Sequence, residues 1–232
     1  MTESNIDDHA YRPPSESTGI RSFAARSKSS VRGFAIFEMP ADKHPRQIIY
    51  ESNLERKTLL TLCAQADIWN VRDQPGRISF EGLTGKRETH IPDYLAQFRC
   101  GLRVAIAVKP YDRVQKINFR ATLRAVEKCM SPSFADRLAL VTEKSLNPAE
   151  VQNAEFLHLC RQHKDREADL LVANAVAGLV ASTSIADLVS EVGLGGRGFR
   201  AVFRAIYDGR LSAEKRSVIT PLTSVSLPEM QP

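Results

Sequence analysis

No apolar run in this chain approaches the ~18 residues that a membrane-spanning helix requires, so the sequence lends a membrane role no support. Cysteine is scarce. Cys63, Cys100, Cys129 and Cys160 stand far apart, with no C-x-x-C pair and no secretory leader, a pattern expected of reduced, largely buried thiols in a cytoplasmic protein. The histidines add no zinc spacing: H-E-x-x-H does not occur, and His158 and His163 fall off a common helix face. A phosphate loop of the form G-x-x-x-x-G-K-[ST] is also missing. The glycine-rich GLGGRG at residues 193–198 lacks the lysine and a preceding strand, so any ATP use would belong to a partner. There are no internal repeats.

What is present is an ordinary globular composition, 43% apolar and 25% charged over 232 residues, enough for a real core. Lys and Arg number 32 against 27 Asp and Glu, a net charge of +5 that favours an anionic partner where the cations cluster. Residues 1–30 are polar, with Pro, Ser and mixed charge but no periodicity, and are expected to form an unfolded tail with a basic end. From 31 to 146, strand-like alternation and helical spacing interleave, which predicts an α/β domain with helices at about 52–65 and 111–129. From 147 to 232 the apolar residues recur at helical spacing, with a strand expected only near SVITPL, which predicts a helical domain.

Three residues of the first half are out of keeping with their surroundings. Leu59, Leu62, Cys63 and Ala66 repeat as the apolar stripe of a helix, and one turn earlier the same face carries Glu55, where a carboxylate is costly unless a cation or strong donor meets it. Glu55 either snorkels out at the helix start to pair with Lys or Arg, or faces a metal. Asp93 follows Pro92 inside THIPDYLAQF, a strand interior in which Asp is disfavoured. In GLRVAIAVKP, residues 101–110, Val104, Ile106 and Val108 share one strand face while Arg103, Ala105, Ala107 and Lys109 share the other. That second face ends on a lone ammonium just before Pro110. Two carboxylates and a lysine on neighbouring elements are the residue types of phosphodiester cleavage: the carboxylates hold Mg²⁺, and the ammonium orients the nucleophile or neutralises developing charge.

These residues, Glu55 in YESNLER, Asp93 in IPDYL and Lys109 in AVKP, resemble the PD-(D/E)xK restriction-endonuclease fold and, more closely, the TnsA-type endonuclease subunit of heteromeric transposases. The resemblance covers about residues 33–160, since LALVTEKSLNP also looks like that family's last core strand and its exit. It implies a mixed sheet flanked by helices, followed by a small helical domain with a helix-turn-helix of winged-helix type. The implied activity is that of a Mg²⁺-dependent DNA endonuclease, with Mn²⁺ as a substitute, which hydrolyses phosphodiesters at transposon 5′ ends. Glu55, Asp93 and Lys109 are then the catalytic residues, and Glu55, Asp93 and the Val108 carbonyl the metal ligands. The implied partners are double-stranded DNA, an integrase-like transposase subunit acting at the 3′ ends, and an ATPase regulator.

Position 107 departs from the pattern. The fold places Glu, Asp or Gln there, and this chain has Ala107. The Val108 carbonyl and waters could complete an octahedral shell, or Glu51, Glu88 or His90 could compensate. Otherwise the site is impaired, and the chain is a DNA-binding assembly subunit or a helix-turn-helix regulator. A host defence nuclease on the same fold differs only in partner and target.

Cations are placed as a nucleic-acid partner requires. On the helix expected at 111–129, Arg113, Lys116, Arg120, Arg124 and Lys128 form a one-sided stripe broken only by Asp112 and Glu127, the pattern of a phosphate track or of a solvated face. Few aromatics accompany it, which argues against stacking on single strands. Further on, STSIADLVSEVGLGGRGFRAVFRAIYDGRL contains two amphipathic helices around Gly193, Gly195 and Gly196. They read as a helix-turn-helix with Arg197, Arg200 and Arg204 as groove contacts opposite the phenylalanines, or as an αα-hairpin with a solvated basic face.

Overall fold

The alternating stretch at 103–108 forms β7 (Arg103–Val108), an inner strand of a four-stranded sheet with β3 (Ile68–Asp73), β6 (Tyr94–Phe98) and β8 (Arg137–Val141) in the order β3-β6-β7-β8. The computed structural model describes residues 12–20, 31–82 and 84–228. β6 runs antiparallel to both β3 and β7, whereas β8 joins β7 in parallel. A parallel pair needs a long crossover, and α2 (Tyr111–Lys116) and α3 (Phe119–Cys129) supply it. Ile106 and Val108 point to one side, where they pack with Tyr94, Ala96 and Val71 and with Leu59, Leu60 and Cys63 of α1 (Asn53–Cys63). Ala107 points to the other, against Val114, Phe119 and Leu123 of the crossover. The result is a mixed α/β fold with helices on both faces of a mixed sheet.

Two hairpins flank this sheet. β1 (Gly33–Phe37) pairs with β2 (Arg46–Tyr50), and β4 (Ile78–Glu81) pairs with β5 (Arg87–His90). The second hairpin buries Ile78 and Phe80 on Val126 of α3.

Four expectations need correction, the last of them beyond β8. The helix at 111–129 is not continuous: Ile117 closes α2, and Asn118 takes a left-handed conformation (φ 49°, ψ 42°) before α3 starts, a backbone state that Asn tolerates better than most residues. The tail is not unfolded throughout. Residues 12–20 lie beside β2, with Ser15 bridging Arg46 in parallel, its N–H on the Pro45 carbonyl (2.9 Å) and its carbonyl taking the Gln47 N–H (2.9 Å). Residues 1–11 and 21–30 of that expected tail lie outside the described residues. The thiols divide evenly: Cys63 and Cys160 are buried, Cys100 and Cys129 exposed.

Beyond β8 the chain is helical: α4 (Pro148–Gln162), α5 (Arg166–Ala177), α6 (Ile185–Val192) and α7 (Gly196–Tyr207). Asn147 caps α4 and Pro148 opens it, the asymmetry expected of a helix start. The expected strand at SVITPL does not form; β10 is Ser224–Val225, paired with β9 (Thr183–Ser184), and Ser212 bridges Ser226 beside it. Secondary structure changes character near residue 146, but the core does not break there. One buried cluster runs from Phe37, Leu59 and Tyr94 through Leu157 to Phe203 and Ile206. Among the described residues no helix is long and apolar enough to cross a membrane.

Candidate active site

Glu55 owes its position to the start of α1. Ser52 is the N-cap, its hydroxyl accepting from the Glu55 N–H (3.1 Å), and the Glu55 carboxylate turns back to accept from the Glu51 N–H (2.7 Å) and the Ser52 hydroxyl (2.9 Å). The S-x-x-E spacing of a capping box, Ser52 to Glu55, is present in YESNLER and accounts for the carboxylate on an apolar face. Burial raises the Glu55 pKa above its ordinary 4.5, with the neighbouring Glu51 charge adding to the rise; the two hydrogen bonds and the Lys109 ammonium oppose it. A raised carboxylate pKa means the native chain holds this proton more tightly than the unfolded chain. Its contribution to stability is therefore present at low pH and is lost as pH climbs from 4.5 through the raised value. Glu55→Gln is expected to flatten that stretch of the stability curve in urea denaturation across pH; an unchanged curve would place the titration on another group.

Asp93 stands where β6 begins. Its carboxylate accepts the Val108 N–H at 2.6 Å, its own N–H donates to the Ile106 carbonyl (2.8 Å), and its carbonyl accepts from Gln74 (2.9 Å). Pro92, which has no N–H for a ladder, precedes it, and the Asp93 side chain ties this end of β6 to β7 instead. Lys109 follows at the end of β7, its N–H on the Val141 carbonyl (3.0 Å) and its ammonium 5.0 Å from the centre of the Phe119 ring. Between the arms lies Tyr94, whose hydroxyl donates to the Ile49 and Glu55 carbonyls, both at 3.3 Å. Burial pushes its pKa well above the ordinary value, and the charges of Glu55, Asp93 and Asp73 push the same way, so it stays a neutral donor. Glu55, Asp93, Val108 and Lys109 are thus gathered at one end of β6 and β7 around Tyr94.

Ala107 is 0% exposed, and its methyl is closed in by Phe119 and Leu123, so no side-chain oxygen enters from this position. Of the residues that could compensate, Glu51 adjoins Glu55, and His90 meets Phe119 edge-on with ring centres 5.8 Å apart, sharing that ring with Lys109. Glu88 lies in the β4–β5 hairpin opposite Phe80. Among the described residues no three His, Cys, Asp or Glu side chains are grouped to hold a metal ion. The Glu55 carboxylate still suits a hard dication: each of its oxygens takes one donor and keeps a second lone pair, and burial disfavours its charge until a cation lies beside it. Mg²⁺ commonly binds through one or two carboxylates and retains several waters.

No protein-family model matches the chain, and no curated protein matches it in sequence.

The two sets of basic residues fare differently. Arg113 and Lys116 on α2 and Arg120, Arg124 and Lys128 on α3 are all exposed, and none forms an ion pair or side-chain hydrogen bond among the described residues. They share one outer layer of the fold despite the break at Asn118. On α7 the expectation needs correction. Arg204 is buried, its guanidinium forked onto Asp169 (2.9 and 2.6 Å) and onto the Cys160 carbonyl (3.0 Å). Arg197 is bound by Asp165 (2.7 and 2.9 Å) and Glu167 (2.5 Å), with its pKa raised by those partners. Arg200 is half-buried, its Nε without a hydrogen-bond partner among the described residues. Residues 201–207 are buried throughout, because α4 and α5 cover α7. A helix wheel identifies a basic face, but acids at the start of α5 have taken two of its three arginines.

Sequence reasoning missed two residues of the site region, Asp73 and Gln74. Asp73 ends β3 directly opposite Tyr94 and is 0% exposed. The signal was a carboxylate closing an otherwise strand-like run just before Gln74-Pro75-Gly76, which reads equally well as a turn.

Proposed function

We propose that this protein is a metal-dependent DNA endonuclease of the TnsA type, an α/β nuclease core of the restriction-endonuclease class followed by a winged-helix-like module, acting at transposon 5′ ends beside an integrase-like transposase and an ATPase regulator. One observation carries the reading: residues 55, 93 and 109, far apart in sequence, lie at the same end of β6 and β7, with the Asp93 carboxylate on the Val108 N–H and Tyr94 bonded to the Glu55 carbonyl. Helices on both faces of a mixed sheet, and a last strand in parallel to β7, favour the same class. The order α5, β9, α6, α7, the Ser212 bridge and β10 favours a winged helix.

In this reading Glu55, Asp93 and the Val108 carbonyl would hold Mg²⁺, or Mn²⁺ in its place, which when bound supplies Lewis acidity toward the scissile phosphate. Lys109 places a positive charge where the phosphoryl oxygens gain negative charge as water attacks phosphorus in line with the departing sugar oxygen. The exposed cations of α2 and α3 draw the duplex across the same half of the fold. The test is nicking of supercoiled plasmid in Mg²⁺ or Mn²⁺, alone and with the transposase. The buried Ala107 favours a second reading, a DNA-binding assembly subunit with an impaired site; duplex binding without nicking under every condition would establish it in place of the first.

The phosphate track has its own test. Arg120→Ala with Arg124→Ala is expected to weaken binding to all duplex sequences alike and to lower the slope of log affinity against log salt by about 2, one condensed counterion per lost contact. A slope equal to that of the unaltered protein would return these residues to a solvated face.

A further inference from the structure

The segment of residues 12–20 does more than cover β2. Ser17 Oγ donates to Asp73 Oδ2 at 2.5 Å, the Gly19 N–H donates back to Ser17 Oγ (2.9 Å), and the Ile20 N–H reaches the Gln74 carbonyl (3.2 Å). Among the described residues, its hydrogen bonds beyond Pro45 and β2 therefore fall on one dipeptide, Asp73–Gln74. That dipeptide faces both carboxylate arms of the candidate site. Asp73 Oδ2 also accepts the Ile49 N–H (3.1 Å), one residue before the Tyr50-Glu51-Ser52 passage that presents the Glu51 N–H to Glu55. Gln74, held at φ 39°, sends its N–H to the Asp93 carbonyl (2.9 Å).

A non-glycine residue at positive φ is strained and persists only where its surroundings fix it. The Ile20 bond on its carbonyl and the Asp93 bond on its N–H clamp Gln74 from both sides. Asp73 is fully buried and its Oδ1 has no hydrogen-bond partner among the described residues, so the donors that reach Oδ2 hold the carboxylate. Gly19 suits the close approach: a Cβ there would stand 3.0 Å from Asp73 Oδ2 and 3.2 Å from Ser17 Oγ, tighter than ordinary contact, so a larger side chain would press on the Ser17–Asp73 bond.

We propose that residues 12–20 form a positioning strap for the active site: by closing over Asp73–Gln74 they set the spacing of Glu55 and Asp93. Ser17, Gly19 and Asp73 are positioning residues. The metal part of this inference rests on the proposed nuclease reading; the positioning itself does not.

The experiment compares full-length protein with Ser17→Ala, Ser17→Thr and Gly19→Val in two measurements. Amide hydrogen exchange follows the Glu51 and Val108 N–H groups, which donate to Glu55 and Asp93, against Ala96 and Ala105 in mid-sheet as controls. Calorimetric titration with Mn²⁺ alone follows metal affinity. In Ser17→Ala and Gly19→Val, the Glu51 and Val108 amides should exchange about tenfold faster, the change expected when a hydrogen bond to a charged group is lost, while the controls hold. Mn²⁺ affinity should fall by a similar factor, and Ser17→Thr, which keeps the hydroxyl, should restore both. Unchanged exchange at Glu51 and Val108 in both variants overturns the strap, whatever the protein does with metal. An unaltered protein that binds no Mn²⁺ overturns the metal reading, and faster exchange in the variants would still establish the strap.

Discussion

Asp93→Ala is expected to abolish plasmid nicking, by about a thousandfold or more, while the chain stays folded. The side chain accepts the Val108 N–H, whereas the Ile106 and Gln74 bonds belong to the Asp93 main chain and survive the substitution. Losing a hydrogen bond to a charged acceptor costs about 1.5–3 kcal/mol, visible in urea denaturation but short of unfolding for a chain with this core. Asp93→Asn separates the two roles. It keeps an acceptor for Val108 and so restores most of the stability, but it removes the negative charge, so nicking stays absent. If Asp93→Ala cut plasmid as fast as the unaltered protein, the convergence of residues 55, 93 and 109 would be structural, and the nuclease reading would fall with it.

Arg204→Ala carries the second large effect, about 3 kcal/mol of stability. Four contacts go at once: the two-bond fork onto Asp169 and the bonds to the Cys160 and His163 carbonyls at the end of α4. The Cys160 carbonyl is left without its donor in a buried setting, and a void opens between α4, α5 and α7. Arg204→Lys should recover only part, because an ammonium cannot serve the carboxylate and the carbonyl in the planar fork geometry that Arg offers. Thermal or urea unfolding gives the magnitude, and duplex binding by the folded fraction gives the control. A variant that kept its stability but lost duplex binding would show that α7 faces DNA after all.

Much of this could be read from residues alone because it depends on local periodicity. Alternation at 103–109 fixed which residues of β7 share a face, so Ala107 and Lys109 could be assigned to one side and Ile106 and Val108 to the other before any packing was known, and that division holds. The order of helix and strands from 31 to 146 follows from the same periods, with two exceptions: the helix at 111–129 divides at Asn118, and the strand expected through THIPDYLAQF divides into β5 and β6, which leaves Asp93 at a strand start and not in a strand interior. The helices after 147 follow likewise. Glu55 was identifiable as anomalous because a carboxylate one turn ahead of an apolar stripe violates burial; its capping role needed only the S-x-x-E spacing.

What tertiary structure alone decided are the partners across sequence distance. Nothing near Arg204 in the sequence announces Asp169 or the Cys160 carbonyl, so an exposed basic face and a buried ion pair have the same helix wheel. The break at Asn118 reflects Phe119 settling over Ala107 and under the Lys109 ammonium, a contact between a helix start and a strand. Residues 12–20 have the composition of a solvated tail, yet they are held by main-chain bonds to β2 and by one serine on a buried aspartate. Hydropathy cannot reveal such contacts, because main-chain hydrogen bonds are available to every residue except proline's missing N–H, and which carbonyl they meet is set by the fold.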